Sequence, residues 1–308
     1  MGNGFKTAML LALMTALLVW IGHLLGGTAG MIFAFVLAMA MNFVSYWYSD
    51  RIVLSMYRAR EAGPGQYPEL HGMVRHLAER AGLPVPRLFV IPEVSPNAFA
   101  TGRDPEHAVI AVTEGLLRNM DKEQVMGVLA HEMAHIRNRD ILVGSIAATM
   151  AGAVMILAGV ARWTAFLGGG SSDDEEGAGL GGVLGLIVMS VLAPLAAMLI
   201  QMAVSRSREY LADETGARLA GGPSGLASAL ERLGFLSGRL PMRAEPATAH
   251  MFIVNPLSGG GIMSLFSTHP PLEARIARLM GRSFSDSPFR ETPSARREAE
   301  DTWRRLGG

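Results

Sequence analysis

Two histidines, His131 and His135, stand four positions apart, and Glu132 directly follows the first of them. On an α-helix these histidines lie on one face, one turn apart, so that both imidazoles can reach one metal ion. Glu132 would then stand beside a water molecule on that metal and could take its proton. The pattern predicts the centre of a zinc-dependent hydrolase with an open coordination position. The alternative is a helix that carries two partly exposed histidines and no metal.

The composition limits which groups can take part in the chemistry. Of the 308 residues, 50% are hydrophobic and only 18% are charged, which favours membrane segments over an unusually large soluble core. The formal net charge is zero, so nothing in the charge balance favours a nucleic-acid partner. The chain has no cysteine, which excludes disulfides, thiolate nucleophiles and Cys-ligated zinc. Any metal must therefore be held by histidines and carboxylates.

Two apolar runs open the chain, at residues 8–25 and 31–48, joined by a short neutral link. Each run is long enough to cross a hydrocarbon core of about 30 Å at about 1.5 Å per residue. We expect residues 1–50 to form a transmembrane hairpin. The alternative is a cleaved signal peptide, but the second run follows at once and no small-residue processing site separates the two. Arg51, Arg58 and Arg60 come next, and by the positive-inside rule they place both ends of the hairpin in the cytoplasm.

Residues 51–140 are predicted to form the first part of a catalytic domain. Helical periodicity covers residues 68–82, and two strands are expected at Arg87–Ile91 and His107–Val112. The stretch between them, Ser95–Gly102, is extended and suits a sheet edge that could hold a substrate peptide through Asn97, Ala98 and Phe99. The alternative is an ordinary loop. The helix that carries the histidines should begin at Asp121.

The rest of the chain alternates between apolar and polar stretches. A second hydrophobic hairpin is predicted at residues 141–204, with an acidic link at 173–176, and the alternative is a buried hairpin of a soluble domain. Residues 205–282 should complete the catalytic domain with three further helices, and residues 283–308 should form a polar tail. The expected fold class is mainly α with a small β-sheet, combining membrane-embedded helices with one catalytic domain.

A catalytic zinc ion needs a third protein ligand, and Glu209 is the best-placed candidate. Its helix and the histidine helix both adjoin the second hydrophobic hairpin, so a chain that goes out and returns brings Glu209 back to the level of His135. Asp213 lies one helical turn further on and could accept the second ring N–H of a ligand histidine. The alternative is that Glu209 and Asp213 form surface ion pairs with neighbouring arginines.

These motifs resemble those of the HtpX-type membrane zinc metalloproteases, relatives of the CAAX prenyl proteases. The residues that carry the resemblance are His131–His135, Glu209–Asp213, Pro96–Gly102, Phe252–Leu257 and His269–Arg275. The resemblance covers most of the chain up to about residue 282. It implies a zincin-like (gluzincin) domain with one zinc ion held by His131, His135 and Glu209, and Glu132 as the general base.

The resemblance also implies a setting and a class of substrate. A bacterial inner-membrane protease of this type, with its site facing the cytoplasm, would degrade misfolded or damaged membrane proteins during stress. Besides zinc, the oxyanion formed during peptide hydrolysis needs a second donor. The candidates for this donor are His269, Arg275, Tyr210 and His250. His269 could instead be a regulatory fourth ligand, or simply a cap or loop contact.

Two other functions remain open from the sequence. One is a narrower processing protease of the CAAX prenyl protease type, which would call for a large cavity enclosed by more membrane helices than the four apolar runs supply. The other is a membrane transporter or scaffold in which the histidine pair is incidental or only binds a metal. The sequence leaves the natural substrates and the oligomeric state open.

Overall fold

The computed structural model of the chain describes residues 3–168, 206–240, 242, 244–245, 247–256 and 270–281. Within these ranges the chain is mostly helical and contains one small sheet, which confirms the predicted fold class. The fourth apolar run, the acidic link at 173–176, His269 and the polar tail lie outside the described residues.

Helix α1, Asn3–Met56, bends sharply at Gly26 and Gly27. Gly27 has φ 57°, a left-handed conformation that glycine adopts without steric cost. The two arms then lie against each other, since Asn42 Nδ2 donates to Thr15 Oγ1 over 2.9 Å. The bend falls within the link between the first two apolar runs. Among the described residues, Gly26–Met56 is the one helix long and apolar enough to cross a membrane by length and composition.

Four strands form a mixed sheet in the order β1-β2-β4-β3. They are β1 Arg60–Glu61, β2 Arg87–Ile91, β3 Ala98–Thr101 and β4 Val109–Thr113. Strands β2 and β4 are parallel, and the outer two pair antiparallel with them. Strand β3 lies at one edge, as the punctuation around it predicted.

The prediction of a strand from His107 is wrong at its start. Pro105–His107 form a short 3₁₀ turn, and the strand begins at Val109. Asp104 causes the turn, because its side chain accepts a hydrogen bond from the His107 backbone N–H and caps it.

Both faces of the sheet are covered. Alternate residues of β4 point in opposite directions: Ile110 and Val112 join the main core, while Val109 and Ala111 join a second cluster on the other face. The main core contains the helices that follow in the chain. The second cluster includes Val53 at the end of α1, so the sheet sits directly against the foot of the apolar hairpin.

The remaining helices surround one central helix. They are α2 Pro68–Ala81, α3 Glu114–Asn119, α4 Lys122–Arg137, α5 Ile141–Gly168, α6 Arg206–Ala220, α7 Ser224–Ser237 and α8 Leu272–Leu279. Helix α4 is the central one, in contact with α2, α6, α7 and β3. Glycines allow the close approach of α7: a Cβ on Gly127 would lie 2.4 Å from the Leu226 backbone nitrogen. Helix α5 lies along α1.

Candidate metal centre

Helix α4 carries both histidines into the domain, with His131 buried and His135 partly buried. Its first turn is fixed by a capping box, in which Asp121 Oδ1 accepts from the Gln124 N–H and Gln124 Oε1 accepts from the Asp121 N–H. The helix then runs into the core, where His131 is 1% exposed and Glu132 2% exposed. Burying polar groups such as His131 and Glu132 inside a helix is costly unless those groups find partners.

Three donor groups converge beside α4. The His131 and His135 Nε2 atoms are 3.1 Å apart, and Glu209 oxygens lie 3.5 Å from His135 Nε2 and 3.8 Å from His131 Nε2. Ligands about 2.1 Å from a tetrahedral zinc ion would be about 3.4 Å from one another. The spacing of the three groups therefore fits one zinc ion, and Glu209 stands where the sequence predicted the third ligand.

Asp213 orients His131. Its Oδ1 lies 3.0 Å from His131 Nδ1, so Nδ1 donates to the carboxylate and Nε2 presents its lone pair to the other two donor groups. Arg275 in turn holds Asp213 with two hydrogen bonds of 2.9 and 2.7 Å. Arg275 is fully buried, and its guanidinium keeps the pKa of Asp213 at about 2 although burial alone would raise it. Asp213 therefore lies next to the second ring nitrogen of His131, and its supporting role stays a prediction.

Asp140 orients His135 in the same way, and sequence reasoning missed it. Its Oδ2 lies 3.3 Å from His135 Nδ1, and its other oxygen lies 3.7 Å from the Arg208 guanidinium. Each histidine therefore has a carboxylate at its Nδ1, and each of these carboxylates is paired in turn with an arginine. Such outer contacts commonly change metal affinity about 10- to 100-fold when they are removed.

The charges around the histidines suit a divalent cation. The buried and partly buried side chains supply four carboxylates and two guanidinium groups: Glu132, Asp140, Glu209, Asp213, Arg208 and Arg275. With every carboxylate ionised, two negative charges remain, which one divalent cation would balance. The pKa of His135 reports this excess. Burial lowers it, but Asp140, Glu209 and Glu132 outweigh burial and raise it to about 9.

The raised pKa of His135 predicts a pH effect on the metal-free protein. Since its folded pKa of about 9 lies above the ordinary value of 6.5, protonated His135 stabilises the fold below pH 6.5. That contribution is lost as the pH rises through 9. We expect the unfolding temperature of chelator-treated protein to fall from pH 6.5 to 9, while the zinc-loaded protein, whose ligand histidines are neutral, shows no matching fall. Scanning fluorimetry with and without zinc measures both curves, and parallel curves would contradict the assignment.

Glu132 is placed to act as a base. Burial, aided by nearby Glu209, raises the pKa of its carboxyl to about 7, although His135, Arg275 and the Ala100 backbone N–H act in the opposite direction. Its Oε1 is buried and has no hydrogen-bond partner among the described residues. The carboxylate shares one pocket with His131, His135 and Glu209. A base with a pKa near neutrality and one free oxygen can accept a proton from a water molecule in this pocket.

The predicted substrate edge, Asn97, Ala98 and Phe99, lies at the rim of the sheet but is covered. All three residues are at most 3% exposed. Asn97 and Ala98 hydrogen-bond to Val254 and Ile253, and the Phe99 ring packs against Phe252. Of strand β3, Ala100 lines the pocket.

The four candidates for a second oxyanion donor lie in different places. His250 lines the pocket, with Nε2 3.2 Å from the Gly144 carbonyl. Arg275 is bonded to Asp213 and to the Ile253 carbonyl. Tyr210 projects from α6 to the Arg278 guanidinium, which lies 4.8 Å from its ring centre, and it does not line the pocket. His269 lies outside the described residues.

Gly216 sets the distance between Glu209 and the histidines, since helix α6 crosses α4 at this residue. A Cβ here would lie 2.9 Å from the His131 backbone nitrogen and 3.0 Å from its Cα. Because backbone cannot yield as a side-chain tip does, Gly216→Ala should push α6 outward, destabilise the fold by about 1–3 kcal/mol and weaken zinc binding. Denaturant unfolding and zinc titration measure the two effects.

A matched control for this substitution is Gly72→Ala in helix α2, where nothing lies within 4 Å of the added Cβ. Alanine is the better helix former by about 0.5–1 kcal/mol, so this variant should keep its stability and bind zinc as the wild type does. Equal stability and equal zinc affinity of the two variants would show that the close helix crossing at Gly216 does not affect the site.

Comparisons with known proteins show the family of the chain. The family model "Peptidase family M48" matches residues 64–283. The chain is 59% identical over 309 residues to a "Protease HtpX homolog" of Desulfatibacillum aliphaticivorans, covering 98% of this chain and 99% of that protein. A "Protease HtpX homolog" of Thermococcus kodakarensis is 56% identical over 275 residues, covering 89% and 94%.

A solved structure shares the fold. The crystal structure of S. mikatae Ste24p matches with a TM-score of 0.50 at 20% identity, covering 89% of this chain and 66% of that chain. This likeness concerns the fold alone. The relatives that span the chain confirm the resemblance seen in its motifs, and with the family model matching well over half of its length the chain belongs to peptidase family M48.

Proposed function

We propose that this peptidase is a membrane-bound endopeptidase that depends on one zinc ion held by His131, His135 and Glu209. The observation that carries the proposal is the convergence of the three donor groups in one pocket, spaced for a single tetrahedral ion. Two imidazoles and a carboxylate are a donor set used by catalytic zinc sites, and the chain offers no cysteine as an alternative.

The side chains around the pocket have different roles in peptide hydrolysis. Zinc, when bound, would supply a Lewis acid that lowers the pKa of water and polarises the peptide carbonyl. Glu132 takes the proton from the attacking water and returns it to the departing amine. Asp213 and Asp140 hold the imidazoles in the required tautomer and orientation. Burial of the pocket excludes bulk water and strengthens these charged interactions.

His250 is the best-placed second donor for the oxyanion among the described candidates. It shares the pocket with Glu132. The Arg275 guanidinium does not line that pocket: it donates to Asp213 and Ile253 and lies behind the metal ligands, 3.8 Å from a Glu209 oxygen. Tyr210 faces Arg278. We therefore assign the role to His250, with Arg275 as a support of His131 through Asp213.

The apolar hairpin anchors the enzyme in a membrane. Only 11% of the most apolar window of Gly26–Met56 is buried, which differs from the core helix of a soluble protein. Large apolar side chains on this arm face outward, among them Ile32, Phe33, Phe35, Val36, Met39 and Phe43. Such a continuous apolar surface suits contact with lipid. By the positive-inside rule, Arg51, Arg58 and Arg60 after the apolar runs support a cytoplasmic position for the catalytic domain.

The substrates we propose are misfolded or damaged membrane proteins, as expected for stress quality control by an HtpX-type protease. The pocket lies between the sheet and α5, since Ala100 and Gly144 both line it. A chain that emerges from the bilayer along α5 would therefore meet the site close to the membrane surface.

Reconstitution in liposomes tests this proposal against its two alternatives. Zinc-loaded wild type should cleave a destabilised membrane protein and unlipidated casein, and Glu132→Gln should cleave neither. Cleavage of C-terminally prenylated peptides alone would favour the processing protease. A transport activity unaffected by Glu132→Gln, without proteolysis in the wild type, would favour the transporter.

A further inference from the structure

A groove runs along the apolar hairpin on the side of α5. Its volume is about 790 Å³, and its walls are the second arm of α1, the first turns of α5 and the segment 245–247. On α1 the lining residues recur from Ala40 to Met56, a distance of about 24 Å at about 1.5 Å per residue. The groove therefore extends over the half of this arm that is nearer the catalytic domain.

The α5 wall of the groove consists of small side chains. One face of the helix contributes Ala148, Thr149, Gly152 and Ala153. Apart from its own helix backbone, a Cβ added to Gly152 would meet no atom within 4 Å, so this wall faces open space. The Thr149 hydroxyl donates to carbonyls of its own helix, over 3.1 Å to Ser145 and 3.0 Å to Ile146. The wall is therefore apolar and allows a second helix to approach closely.

Glu245 is the one charged residue among the described residues that line the groove. It lies at the end nearest the domain: its carbonyl accepts from the Thr248 N–H over 3.0 Å, and the Thr248 hydroxyl is bonded to Tyr57, which directly follows α1. The Glu245 side chain is exposed, and within the described part of the chain no cation forms an ion pair with it. A cation arriving at this end of the groove would be attracted to it.

Two elements connect the groove to the metal pocket. On α5, Ala148 lines the groove and Gly144, one turn earlier, lines the pocket. After Glu245, Ala247 lines the groove, while His250 lines the pocket with its Nε2 3.2 Å from the Gly144 carbonyl. A polypeptide that leaves the groove at its domain end would therefore arrive beside the metal ligands.

We infer that the groove binds a membrane-spanning helix of the substrate protein, and that Glu245 pairs with Lys or Arg at the cytoplasmic end of that helix. This inference rests on the proposed function and names the part of a membrane protein that the enzyme recognises. The cytoplasmic flanks of membrane helices carry an excess of Lys and Arg, which complements the carboxylate. A lipid chain would also fit an apolar groove, but Glu245 would repel the phosphate of its headgroup.

Filling the groove tests the inference with two substrates. Ala153→Phe is compared with Ala16→Phe, which places the same ring at an exposed position of the first arm of α1, outside the groove. The zinc-loaded full chain in liposomes is given a single-span membrane protein and, separately, soluble casein. Ala153→Phe should lower kcat/KM for the membrane protein by about tenfold and leave casein cleavage unchanged. Ala16→Phe should change neither.

Other results would overturn the inference. Equal loss on both substrates would mean that the ring disturbs the domain or displaces another part of this chain. Unchanged cleavage of the membrane protein would mean that the groove is not used. If the wild type cleaves neither substrate, the proposed function itself fails, whereas cleavage of both without dependence on the groove refutes this inference alone.

The charge of the substrate tests the role of Glu245. With wild-type enzyme, replacing the cytoplasmic Lys and Arg flank of the substrate by Gln should raise KM by about two- to fivefold, as for one exposed ion pair. Glu245→Gln should abolish that difference, and Glu231→Gln, at an exposed position of α7, should retain it. A difference that persists in Glu245→Gln would remove Glu245 from the site.

A cross-link reports the contact directly, because the chain has no cysteine of its own. In the Glu132→Gln background, Ala153→Cys should form a disulfide with a cysteine in the membrane helix of the substrate, which requires Cα atoms within about 7 Å. Ala16→Cys should not. This smaller substitution decides the question if Ala153→Phe does not fold. No cross-link at position 153, or equal cross-linking at both positions, would contradict docking in the groove.

Discussion

Glu132→Gln should bind zinc as the wild type does and lose about 10²- to 10⁴-fold in kcat/KM for peptide hydrolysis, the usual contribution of a general base. The amide has the shape of the carboxyl group but cannot accept the proton. Glu132 is not one of the three converging donor groups, so its replacement leaves the metal ligands in place. Metal analysis of the purified variant, together with kinetics on one fluorogenic peptide, measures both properties.

The matched control is Glu79→Gln on the exposed face of helix α2, which should change neither property. Proteolysis by Glu132→Gln at the wild-type rate would remove Glu132 from the mechanism. Loss of zinc from this variant would instead assign the carboxylate to the metal.

Glu209→Gln should lower zinc affinity by about 100-fold or more, because it replaces an anionic ligand with a neutral amide. Asp213→Asn affects the metal indirectly, through the orientation of His131, and should lower zinc affinity by about 10- to 100-fold. Glu214→Gln is the control on the same helix, since Glu214 is exposed and pairs with Arg218. Competition with a chromogenic chelator gives the three affinities.

The order of these affinities matters more than their absolute values. The geometry predicts that zinc binding weakens most in Glu209→Gln, less in Asp213→Asn and not at all in Glu214→Gln. A Glu209→Gln variant that keeps wild-type affinity would mean that another group supplies the third ligand.

The positions of Glu209 and Asp213 followed from local rules. His131 and His135 share a helix face, and Asp213 follows Glu209 by one turn, so each pair could be placed without knowledge of the fold. The apolar runs that flank the two helices predicted that they would meet. The same kind of local signal, a capping box at Asp121, placed the start of the histidine helix correctly.

Asp140 could not be found in this way. It lies beyond the end of α4, where periodicity no longer applies. Arg139 takes φ 58°, a conformation uncommon outside glycine, and this turns the chain so that the Asp140 carboxylate faces His135. Nothing in the pattern of residue types announces that turn. The one signal for Asp140 is its short separation from His135 in the sequence, because a carboxylate shortly after a ligand histidine is a candidate partner for the second ring nitrogen.

The positions of Arg275 and of residues 252–254 depend on tertiary contacts. Arg275 is one of four sequence candidates for the oxyanion donor, but 62 positions separate it from Asp213, and only the packing of α8 on α6 brings the two together. Residues 252–254 show no strand alternation and are held by the Asn97 side chain and one backbone bond to Ala98. Whether such a segment pairs with a strand depends on the neighbouring strand, and the β-propensity of its own residues does not predict that.

The most direct test of the metal centre is a titration of chelator-treated protein with zinc while proteolysis is followed. Activity should be absent at the start, rise in proportion to added zinc and reach its plateau at one ion per chain. His135→Ala, Glu209→Gln and His131→Ala should each abolish the stoichiometric rise. Full proteolytic activity in the metal-free wild type, confirmed by metal analysis, would contradict the central claim that zinc held by these three residues is required for hydrolysis.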